Sequence, residues 1–347
     1  MFGLSLLPPF LPKRSPRIHP VFLPYQGCPG RCVFCAQPTQ TGQNPQGLDQ
    51  ALEDLKRTLE ALAALGGPPL ELAFYGGTFT LLPPPWPERF LEAAGPYLAQ
   101  GRLTGLRCST RPDAVTPKIL RRLKDLGLGL VELGVQSFDD AALAVSGRGG
   151  GRSQTLEGCA AVRQSGLKLG IQLMPGLPGD RDSLFEEDLA LALAQDIAAL
   201  RLYPCLVIEG TPLAEIWRQG RYAPWPLEAT VRRLARASLA SWAAGVPVIR
   251  TGLAPQPGLA EKILAGPVHP ALGQMVRSRA LFEYLRDALP PGLVMAGLDA
   301  PRAVQGDFWG QAGALKPEYA ALGLAPNRVR FGDRPDFVLD CAPVVPA

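Results

Sequence analysis

The sequence predicts an α/β protein: a partial (β/α)6 barrel followed by a small α+β C-terminal appendage. Between about residue 20 and residue 205, short β-rich runs alternate with longer amphipathic runs, which is typical of parallel βαβ units. Six such units are too few to close an eight-stranded barrel, so an open barrel is expected. The predicted divisions are an N-terminal extension at 1–17, the barrel at 18–266 and the appendage at 267–347.

Each predicted βα unit is an apolar run followed by a helical pattern. Pro87 and Pro117 stand in first turns, where helices tolerate proline, and Thr116 is a predicted N-cap. The predicted barrel strands are His19–Pro24, Glu71–Tyr75, Gly105–Ser109, Leu130–Val135, Leu169–Met174 and Ala199–Tyr203. The predicted helices between them are Leu48–Leu65, Pro87–Ala99, Pro117–Leu126, Ser153–Ser165 and Ser183–Ala194.

After Tyr203 the alternation loosens, and this region is predicted to close one barrel edge before the appendage begins. It holds two predicted helices and a short strand, at Thr211–Gln219, Leu227–Ala244 and Val246–Thr251. The appendage holds one predicted helix and three short strands, at Pro270–Ala288, Leu293–Ala296, Val329–Gly332 and Phe337–Leu339.

The composition limits the class of protein before any motif is considered. Of the 347 residues, 47% are hydrophobic and 19% are charged, whereas disordered chains combine low hydrophobicity with high net charge. The longest run without a charged residue, Cys32 to Leu48, is rich in Gln, Thr and Asn, which excludes a transmembrane helix. The N-terminus places apolar residues before basic ones, the reverse of a secretory signal, so a cytoplasmic protein is expected.

Three of the seven cysteines crowd into one predicted loop after the first barrel strand. Cys28, Cys32 and Cys35 have the spacing C-x3-C-x2-C, at the barrel end where such folds carry their active sites. Three thiolates would hold three irons of a 4Fe-4S cluster and leave the fourth iron open for an exogenous ligand. The alternatives are structural zinc with a histidine as fourth ligand, or three unrelated buried thiols. Neither His19 nor His269 has the spacing that zinc sites generally show.

The other four cysteines stand alone in apolar strand or helix contexts, so they are predicted to be small core residues. They are Cys108, Cys159, Cys205 and Cys341. Two of them, Cys108 and Cys205, lie near the ends of predicted strands. For these two, an approach to the cysteine triplet stays open.

The cysteine triplet, with Phe34 before its last cysteine, resembles the signature of radical S-adenosylmethionine (SAM) enzymes. Further segments, in the order that this family shows, resemble parts of the Elongator catalytic subunit and of oxygen-independent coproporphyrinogen oxidase. Together they cover residues from about 18 to 225. The segments are Phe74-Tyr75-Gly76-Gly77-Thr78-Phe79, Ser109-Thr110-Arg111-Pro112-Asp113, Glu132-Leu133-Gly134-Val135-Gln136-Ser137, Leu173–Gly179 and Leu202–Leu213.

The resemblance implies a 4Fe-4S cluster held by the three cysteines, with SAM bound at the open iron. One-electron reduction would then cleave SAM to methionine and a 5'-deoxyadenosyl radical, which abstracts hydrogen from a substrate C–H bond. A largely apolar barrel lumen is expected to position the substrate. Because iron–sulfur clusters can reach roughly −400 to −700 mV, below the cytosolic thiol poise, a flavodoxin or ferredoxin is the expected electron donor.

Candidate SAM-binding residues come from the matching segments. Gly76 and Gly77 resemble a GGE-like motif, which is implied to meet the methionine amino group; the alternative is a simple turn. Gln136 offers a donor and an acceptor suited to ribose hydroxyls, unless it is a polar turn residue. Arg111 and Arg148 could grip the SAM carboxylate or a substrate phosphate, or be solvated loop charges. The remaining candidates are Tyr25, Phe34, Thr78, Ser109 and Met174.

Three departures from the resembled proteins limit what is carried over. Ser109 stands where related segments often carry Glu, and Gly149-Gly150-Gly151-Arg152 replaces a common Arg-Gly-His-Thr pattern. Both departures fall on segments that the resemblance associates with ribose and carboxylate contacts. The 81 residues from 267 to 347 are too short for the acetyltransferase domain of the Elongator subunit and show no acetyl-CoA loop, so acetyl-CoA chemistry is not expected.

Two substrate classes and one non-enzymatic role stay open. The Elongator-like segments imply modification of RNA, with tRNA as the expected partner, whereas the coproporphyrinogen oxidase-like segments imply a small molecule. A cluster-bearing scaffold without turnover is the third alternative. The net charge of +4 is modest, and neither DNA nor a membrane is an expected partner. Candidate phosphate contacts are Lys13, Arg14, Arg17 and Arg31 near the barrel mouth, with Arg121, Arg122 and Lys124 elsewhere.

One of the two histidines is a further candidate. His269 lies in a predicted loop that leads into a helix, where it could act as an acid, a base or a substrate contact. A local cap of that helix is the alternative.

Overall fold

The computed structural model describes residues 2–8, 17–44, 46–254 and 256–344. Two compact units divide the chain. The barrel unit comprises the described parts of Ser15–Trp225 and Leu253–Val268, and the second unit comprises those of Met1–Arg14, Pro226–Gly252 and His269–Ala347. Within the described residues, no helix is both long and apolar enough to cross a membrane.

The secondary structure of the described residues alternates strands and helices along most of the chain. The strands are β1 (Phe2–Leu6), β2 (Arg17–Leu23), β3 (Leu70–Gly76), β4 (Leu103–Thr110), β5 (Leu128–Gln136), β6 (Lys168–Leu173), β7 (Ala199–Leu202), β8 (Val207–Ile208), β9 (Val248–Thr251), β10 (Ile263–Ala265), β11 (Leu293–Pro301), β12 (Val329–Gly332) and β13 (Phe337–Pro343). The α-helices are α1 (Gln37–Thr41), α2 (Leu48–Ala64), α3 (Trp86–Ala99), α4 (Pro117–Asp125), α5 (Asp140–Val145), α6 (Arg152–Gln164), α7 (Leu184–Leu193), α8 (Pro212–Arg218), α9 (Leu227–Ala243), α10 (Leu272–Ala288), α11 (Gln305–Phe308) and α12 (Lys316–Ala321).

Six parallel strands of the barrel unit lie side by side in chain order, from β2 to β7. At least one helix connects each neighbouring pair, so the carboxyl ends of all six strands lie at one edge of the sheet. This arrangement confirms the predicted partial (β/α)6 barrel. All six predicted strands and all five predicted helices of this region are present, with ends that differ from the prediction by at most two residues.

The two faces of the barrel sheet differ in chemistry because successive side chains of a strand point to opposite sides. The outer face packs against the helices and is apolar, with residues that are at most 1% exposed. They include Leu72, Phe74, Leu106, Val131, Leu133, Ile171 and Leu200. The inner face carries charged and hydroxyl side chains from the same strands, among them Arg107 and Glu132. The expectation of a largely apolar lumen is therefore wrong.

The helices begin and end where the local sequence stops or caps them. The Thr116 side-chain oxygen accepts a hydrogen bond from the Ile119 backbone N–H at 3.3 Å, which confirms the predicted N-cap of α4. In α2 the buried residues recur on one stripe of the helix, as an amphipathic helix against a sheet requires. They are Ala51, Leu52, Leu55 and Leu59.

The second unit contains a four-stranded sheet in the order β1-β13-β11-β12. Strand β13 is antiparallel to both neighbours, and β11 is parallel to β12. Its core includes Phe308 and Tyr319, whose rings stack at 4.6 Å between centroids. The three predicted appendage strands are present, and the first of them extends to Pro301. The predicted barrel range of 18–266 differs from the division into units, since α9 and β9 fall in the second unit.

Candidate active site

The cysteine triplet lies in the loop that follows β2, at the carboxyl edge of the barrel sheet. Tyr25 begins this loop with a positive φ of 61°, and Gly27 follows with a φ of 70°. Hydrogen bonds then fold the loop back on itself, from the Cys28 N–H to the Tyr25 carbonyl at 3.1 Å and from the Cys35 N–H to the Cys32 carbonyl at 3.1 Å. The loop is thus a wrapped segment that presents three thiols from eight residues.

The environment of the thiols is polar on one side and buried on the other. The Cys28 Sγ lies 3.4 Å from the Thr78 Oγ1, and the Cys32 Sγ accepts a hydrogen bond from the Arg148 Nη1 at 3.6 Å. Burial, together with the neighbouring Cys32 and Cys28, raises the pKa of Cys35 to about 11. A bound cation would offset this cost by stabilising the thiolate form of its cysteine ligands.

The donor set fits a 4Fe-4S cluster. Within the described ranges, no three His, Cys, Asp or Glu side chains converge on the position of a single metal ion. A cluster requires a different arrangement, since each thiolate binds a different iron. The loop offers three thiols, a guanidinium beside Cys32 and a hydroxyl beside Cys28, and such hydrogen bonds stabilise the sulfur ligands of a cluster.

Gly77 permits a close approach between the cysteine loop and the loop after β3. A Cβ built on Gly77 would lie 1.9 Å from the Gln26 carbonyl oxygen, and a Cβ on Gly27 would lie 2.3 Å from the Thr78 carbonyl oxygen. The Thr78 N–H donates a hydrogen bond to the same Gln26 carbonyl at 2.8 Å. Part of the need for glycine at these positions is therefore backbone packing between two loops, which seats the cysteines against the end of β3.

Arg148 joins the cysteine loop to β5. Its guanidinium donates to the Cys32 Sγ and also to the Gly134 carbonyl oxygen. Desolvation lowers the pKa of Arg148, and the nearby Cys32 opposes that shift. Arg111 forms an ion pair with Asp113, which raises the pKa of Arg111. Of the two predicted arginines, Arg148 contacts the cysteine loop and Arg111 is held by a carboxylate of its own segment.

Gln136 ends β5 with a positive φ of 70° and is 6% exposed. Its side-chain oxygen accepts a hydrogen bond from the Gln172 Nε2 at 3.1 Å, and its backbone carbonyl accepts one from the Met174 N–H at 2.8 Å. A non-glycine residue in this conformation is uncommon, and such residues concentrate at functional sites. Tyr25, another predicted SAM-binding residue, shares the feature.

The remaining predicted residues lie in both units of the chain, four in the barrel unit and His269 in the second unit. Phe34 is buried beside Cys32, and Met174 packs on the same apolar cluster. The Tyr25 ring lies under the Arg31 guanidinium at 4.2 Å, and Ser109 lies near the end of β4. His269 belongs to the second unit, where its Nδ1 accepts a hydrogen bond from the Ala271 N–H at 3.0 Å, just before α10. The roles of these residues stay predictions.

The candidate phosphate contacts are dispersed. Lys13 and Arg14 lie outside the described residues. Arg31 is in the cysteine loop, whereas Arg17 begins β2 and therefore lies at the opposite, amino edge of the sheet. Three further candidates lie in α4, which precedes the amino end of β5, and one of them, Arg122, forms an ion pair with Glu88 at 3.0 Å. They are Arg121, Arg122 and Lys124.

The four isolated cysteines are buried, as predicted for core residues. Cys108 is on the outer face of β4, away from the triplet. Cys205 belongs to the same apolar cluster as Cys32 and Phe34, so it approaches the cysteine loop by packing.

A network of charged side chains in the lumen was not singled out from the sequence. Glu132 of β5 lies at its centre, 3% exposed, with Arg107 of β4 and Arg201 of β7 as ion-pair partners. The Tyr75 hydroxyl donates to the Glu132 Oε1 at 2.9 Å. The signal that could have found this network is the presence of single charged residues at inward positions of otherwise apolar strands.

Comparison with known proteins identifies the class. The model of the radical SAM superfamily matches residues 22–192, and that of the radical SAM C-terminal domain matches residues 197–281. Together with the partial barrel and the cysteine loop at its carboxyl edge, these matches show that the chain belongs to the radical SAM superfamily and is an enzyme.

Within that superfamily the chain is Elongator-like. It is 33% identical to a tRNA uridine(34) acetyltransferase of Dehalococcoides mccartyi, covering 57% of this chain and 50% of that protein. It is 30% identical to Elongator complex protein 3 of Saccharomyces cerevisiae, covering 59% and 44%. The solved structure of Methanocaldococcus infernus Elp3 superposes with a TM-score of 0.58 at 25% identity, covering 78% of this chain and 63% of that one. The chain spans about half the length of the curated relatives.

Proposed function

We propose that this radical SAM enzyme modifies a base of RNA, with tRNA as the substrate. The support is the combination of an Elongator-like barrel with relatives whose names describe action on a tRNA uridine. The observation that carries the enzymatic part is the cysteine loop, which presents three thiols at the carboxyl edge of the sheet. Polar groups contact these thiols, among them the Thr78 hydroxyl after β3 and the Arg148 guanidinium.

Cys28, Cys32 and Cys35 would hold the 4Fe-4S cluster. When bound, the cluster with SAM supplies one-electron cleavage of SAM as a source of the hydrogen-abstracting radical. The protein itself has three tasks: to keep the thiols deprotonated, to orient SAM and to exclude water. The Arg148 guanidinium beside Cys32 and the Thr78 hydroxyl beside Cys28 serve the first task, because both favour a thiolate.

SAM orientation is assigned to the ends of three strands. The loop from Gly76 to Thr78 would take the methionine part, and Gln136, fixed by Gln172, would take the ribose. Arg148 already binds the Cys32 sulfur and the Gly134 carbonyl, so it would place its charge between the cluster and the SAM carboxylate. A flavodoxin or ferredoxin as electron donor and a cytoplasmic location complete the proposal.

The test begins with anaerobic reconstitution by iron and sulfide. The protein should then bind close to four irons per chain on the cluster stoichiometry, and form 5'-deoxyadenosine from SAM only with a low-potential reductant. Replacement of Cys28, Cys32 and Cys35 by Ala should remove the cluster absorbance and the 5'-deoxyadenosine. The matched control is Cys159→Ala, which removes a buried thiol from α6 and should retain both.

The substrate is tested by comparing modified nucleosides in RNA from cells with and without the gene. A nucleoside that is lost with the gene and restored by the wild type, but not by the triple cysteine variant, supports the proposal. If the RNA is unchanged while small-metabolite extracts treated with ribonuclease stimulate SAM cleavage, the substrate is a small molecule. Absence of 5'-deoxyadenosine from fully loaded, reduced protein would contradict an enzymatic role.

A further inference from the structure

Two residues that flank the cysteine triplet close the cysteine loop between them. Tyr25 lies three residues before Cys28, and Gln37 begins α1 two residues after Cys35. The Tyr25 backbone N–H donates to the Gln37 Oε1, and the Gln37 backbone N–H donates to the Tyr25 hydroxyl oxygen at 3.1 Å. The Tyr25 hydroxyl in turn donates to the Cys35 carbonyl oxygen at 3.3 Å. These bonds form a clamp of Tyr25 and Gln37 that joins the two ends of the loop.

The clamp fixes the orientation of the Gln37 side-chain amide. A backbone N–H can only donate, so the atom that faces the Tyr25 N–H is the amide oxygen. The amide NH2 group therefore points towards the thiols, and its nitrogen lies 4.0 Å from the Cys28 Sγ. Burial raises the pKa of Cys35, and a hydrogen bond from the same Gln37 side chain opposes that shift. One amide group thus reaches two of the three sulfur ligands.

Hydrogen-bond donors beside the sulfur ligands affect the redox state of a cluster. Reduction adds one negative charge to the cluster, and an N–H group beside a sulfur ligand stabilises that added charge. Hydrogen bonds to the sulfur atoms are therefore among the factors that set the reduction potential of an iron–sulfur cluster. Each such donor makes the cluster easier to reduce.

Gln37 differs from the other polar neighbours of the triplet. Thr78 and Arg148 belong to the set predicted to bind SAM, so a change in either would alter SAM binding and the cluster together. Gln37 lies outside that set, and its oxygen is bound by the Tyr25 N–H. The effect of its NH2 group on the cluster can therefore be measured by itself.

We propose that Gln37 is a positioning residue for the cluster, whose side-chain NH2 group donates to the sulfur atoms of Cys28 and Cys35 and raises the reduction potential. This inference rests on the proposed function, because it requires the 4Fe-4S cluster in the cysteine loop. The Gln37 oxygen holds the loop closed while the nitrogen faces the sulfur ligands. One side chain thus shapes the loop and sets how readily the cluster accepts its electron.

The test is the midpoint potential of the reconstituted cluster, measured without SAM from the electron paramagnetic resonance signal of the reduced form. Gln37→Leu removes the donors, so the ratio of reduced to oxidised cluster at a fixed potential should fall about tenfold, on the order of one hydrogen bond. For a one-electron couple this equals a shift of about 59 mV to lower potential. The matched control is Gln40→Leu in the same helix. Among the described residues, the Gln40 side chain makes no hydrogen bond, so this variant should keep the wild-type potential.

Two further variants separate the clamp from the donors. Tyr25→Phe removes the hydroxyl of the clamp but keeps the backbone N–H that holds the Gln37 oxygen. It should therefore lower the iron content after gel filtration, while the cluster that is retained keeps the wild-type potential. Gln37→Glu keeps an oxygen for the Tyr25 N–H and replaces the NH2 group by a negative oxygen. Its potential should lie below that of Gln37→Leu, because the added charge disfavours reduction.

The outcomes distinguish this inference from the proposed function. If Gln37→Leu and Gln37→Glu keep the wild-type potential, or if Tyr25→Phe lowers it as far as Gln37→Leu, the assignment is overturned while the proposed function stands. If Gln37→Leu holds no iron, Gln37→Glu decides. If neither holds a cluster while Gln40→Leu does, Gln37 serves assembly of the loop and its assigned effect on the potential is overturned. If the wild type itself holds no cluster, the proposed function fails, and this inference fails with it.

Discussion

The outer and inner faces of the barrel sheet come from the same strands but obey different rules. The outer face is closed by aliphatic and aromatic residues such as Val131, which is fully buried against helices. One residue further along β5, Glu132 is equally buried, and its charge is held by two arginines. The outer face thus stabilises the fold through apolar burial. The inner face contributes less stability, because its polar groups must be desolvated.

The largest expected effect comes from removing the centre of the inner network. Glu132→Ala leaves Arg107 and Arg201 buried without their shared partner, so it should lower the free energy of unfolding by about 3–5 kcal/mol. Val131→Ala is the matched control on the outer face and should cost about 2 kcal/mol through its cavity. Denaturant unfolding of both variants measures the difference.

A combined variant sharpens the same comparison. Arg107→Met, Glu132→Leu and Arg201→Met together replace the ion pairs by apolar side chains, so the stability should be close to that of the wild type or above it. RNA-dependent SAM cleavage should be lost. If this variant is as destabilised as Glu132→Ala, the network serves the fold rather than the substrate.

A second expected effect concerns a buried carboxyl on the helix side of the sheet. Asp188 of α7 is 5% exposed and accepts a hydrogen bond from the Phe138 N–H at 2.7 Å. Burial raises the pKa of Asp188 to about 6, with hydrogen bonds from Ser137 and Phe138 opposing the shift. Whereas Glu132 is held by two ion pairs, burial drives Asp188 towards its neutral form.

The sign of the resulting pH dependence follows from proton binding. The folded state holds the Asp188 proton up to about pH 6, while the unfolded chain releases it near its ordinary pKa of about 4. The stability from this group is therefore complete below pH 4 and decreases between pH 4 and pH 6, by roughly 2–3 kcal/mol. Asp188→Asn should remove this decrease. The measurement is the unfolding midpoint of the wild type and of Asp188→Asn from pH 4 to pH 6. If both midpoints changed with pH by the same amount, the assignment would be contradicted.

The sequence predicted the helices and strands of the barrel well because β-rich runs and amphipathic helical patterns are both local features of a sequence. Barrel strand and helix ends came within two residues, and the three thiols lie in one loop because they are neighbours in the chain. Strand β1 was not predicted, since its five residues gain their strand character by pairing with β13, more than 330 positions away. The contacts of Gly77 with Gln26 and of Arg148 with Cys32 likewise depend on which loops meet at the carboxyl edge.

The lumen network shows the limit most clearly. The resemblance singled out the segment from Glu132 to Gln136 as a whole, yet the partners of Glu132 come from strands β3, β4 and β7. Single charged residues in apolar strands are visible in the sequence, but their pairing requires the register of the parallel ladder. The prediction of an apolar lumen was based on its expected role in positioning the substrate. It did not take account of the single charged residues in the strands.

The smallest expected effect tests a helix outside both faces. The Thr116 side chain caps α4 by accepting from the Ile119 N–H, so Thr116→Ala should lower the free energy of unfolding by about 1 kcal/mol. Thr116→Ser keeps the hydroxyl and should retain most of that energy. Because α4 packs on the outer side of the sheet and its basic end lies at the amino edge, 5'-deoxyadenosine formation should be unchanged in both variants. If the folded Thr116→Ala protein formed less 5'-deoxyadenosine than the wild type, α4 as well as the inner face would contribute to the active site.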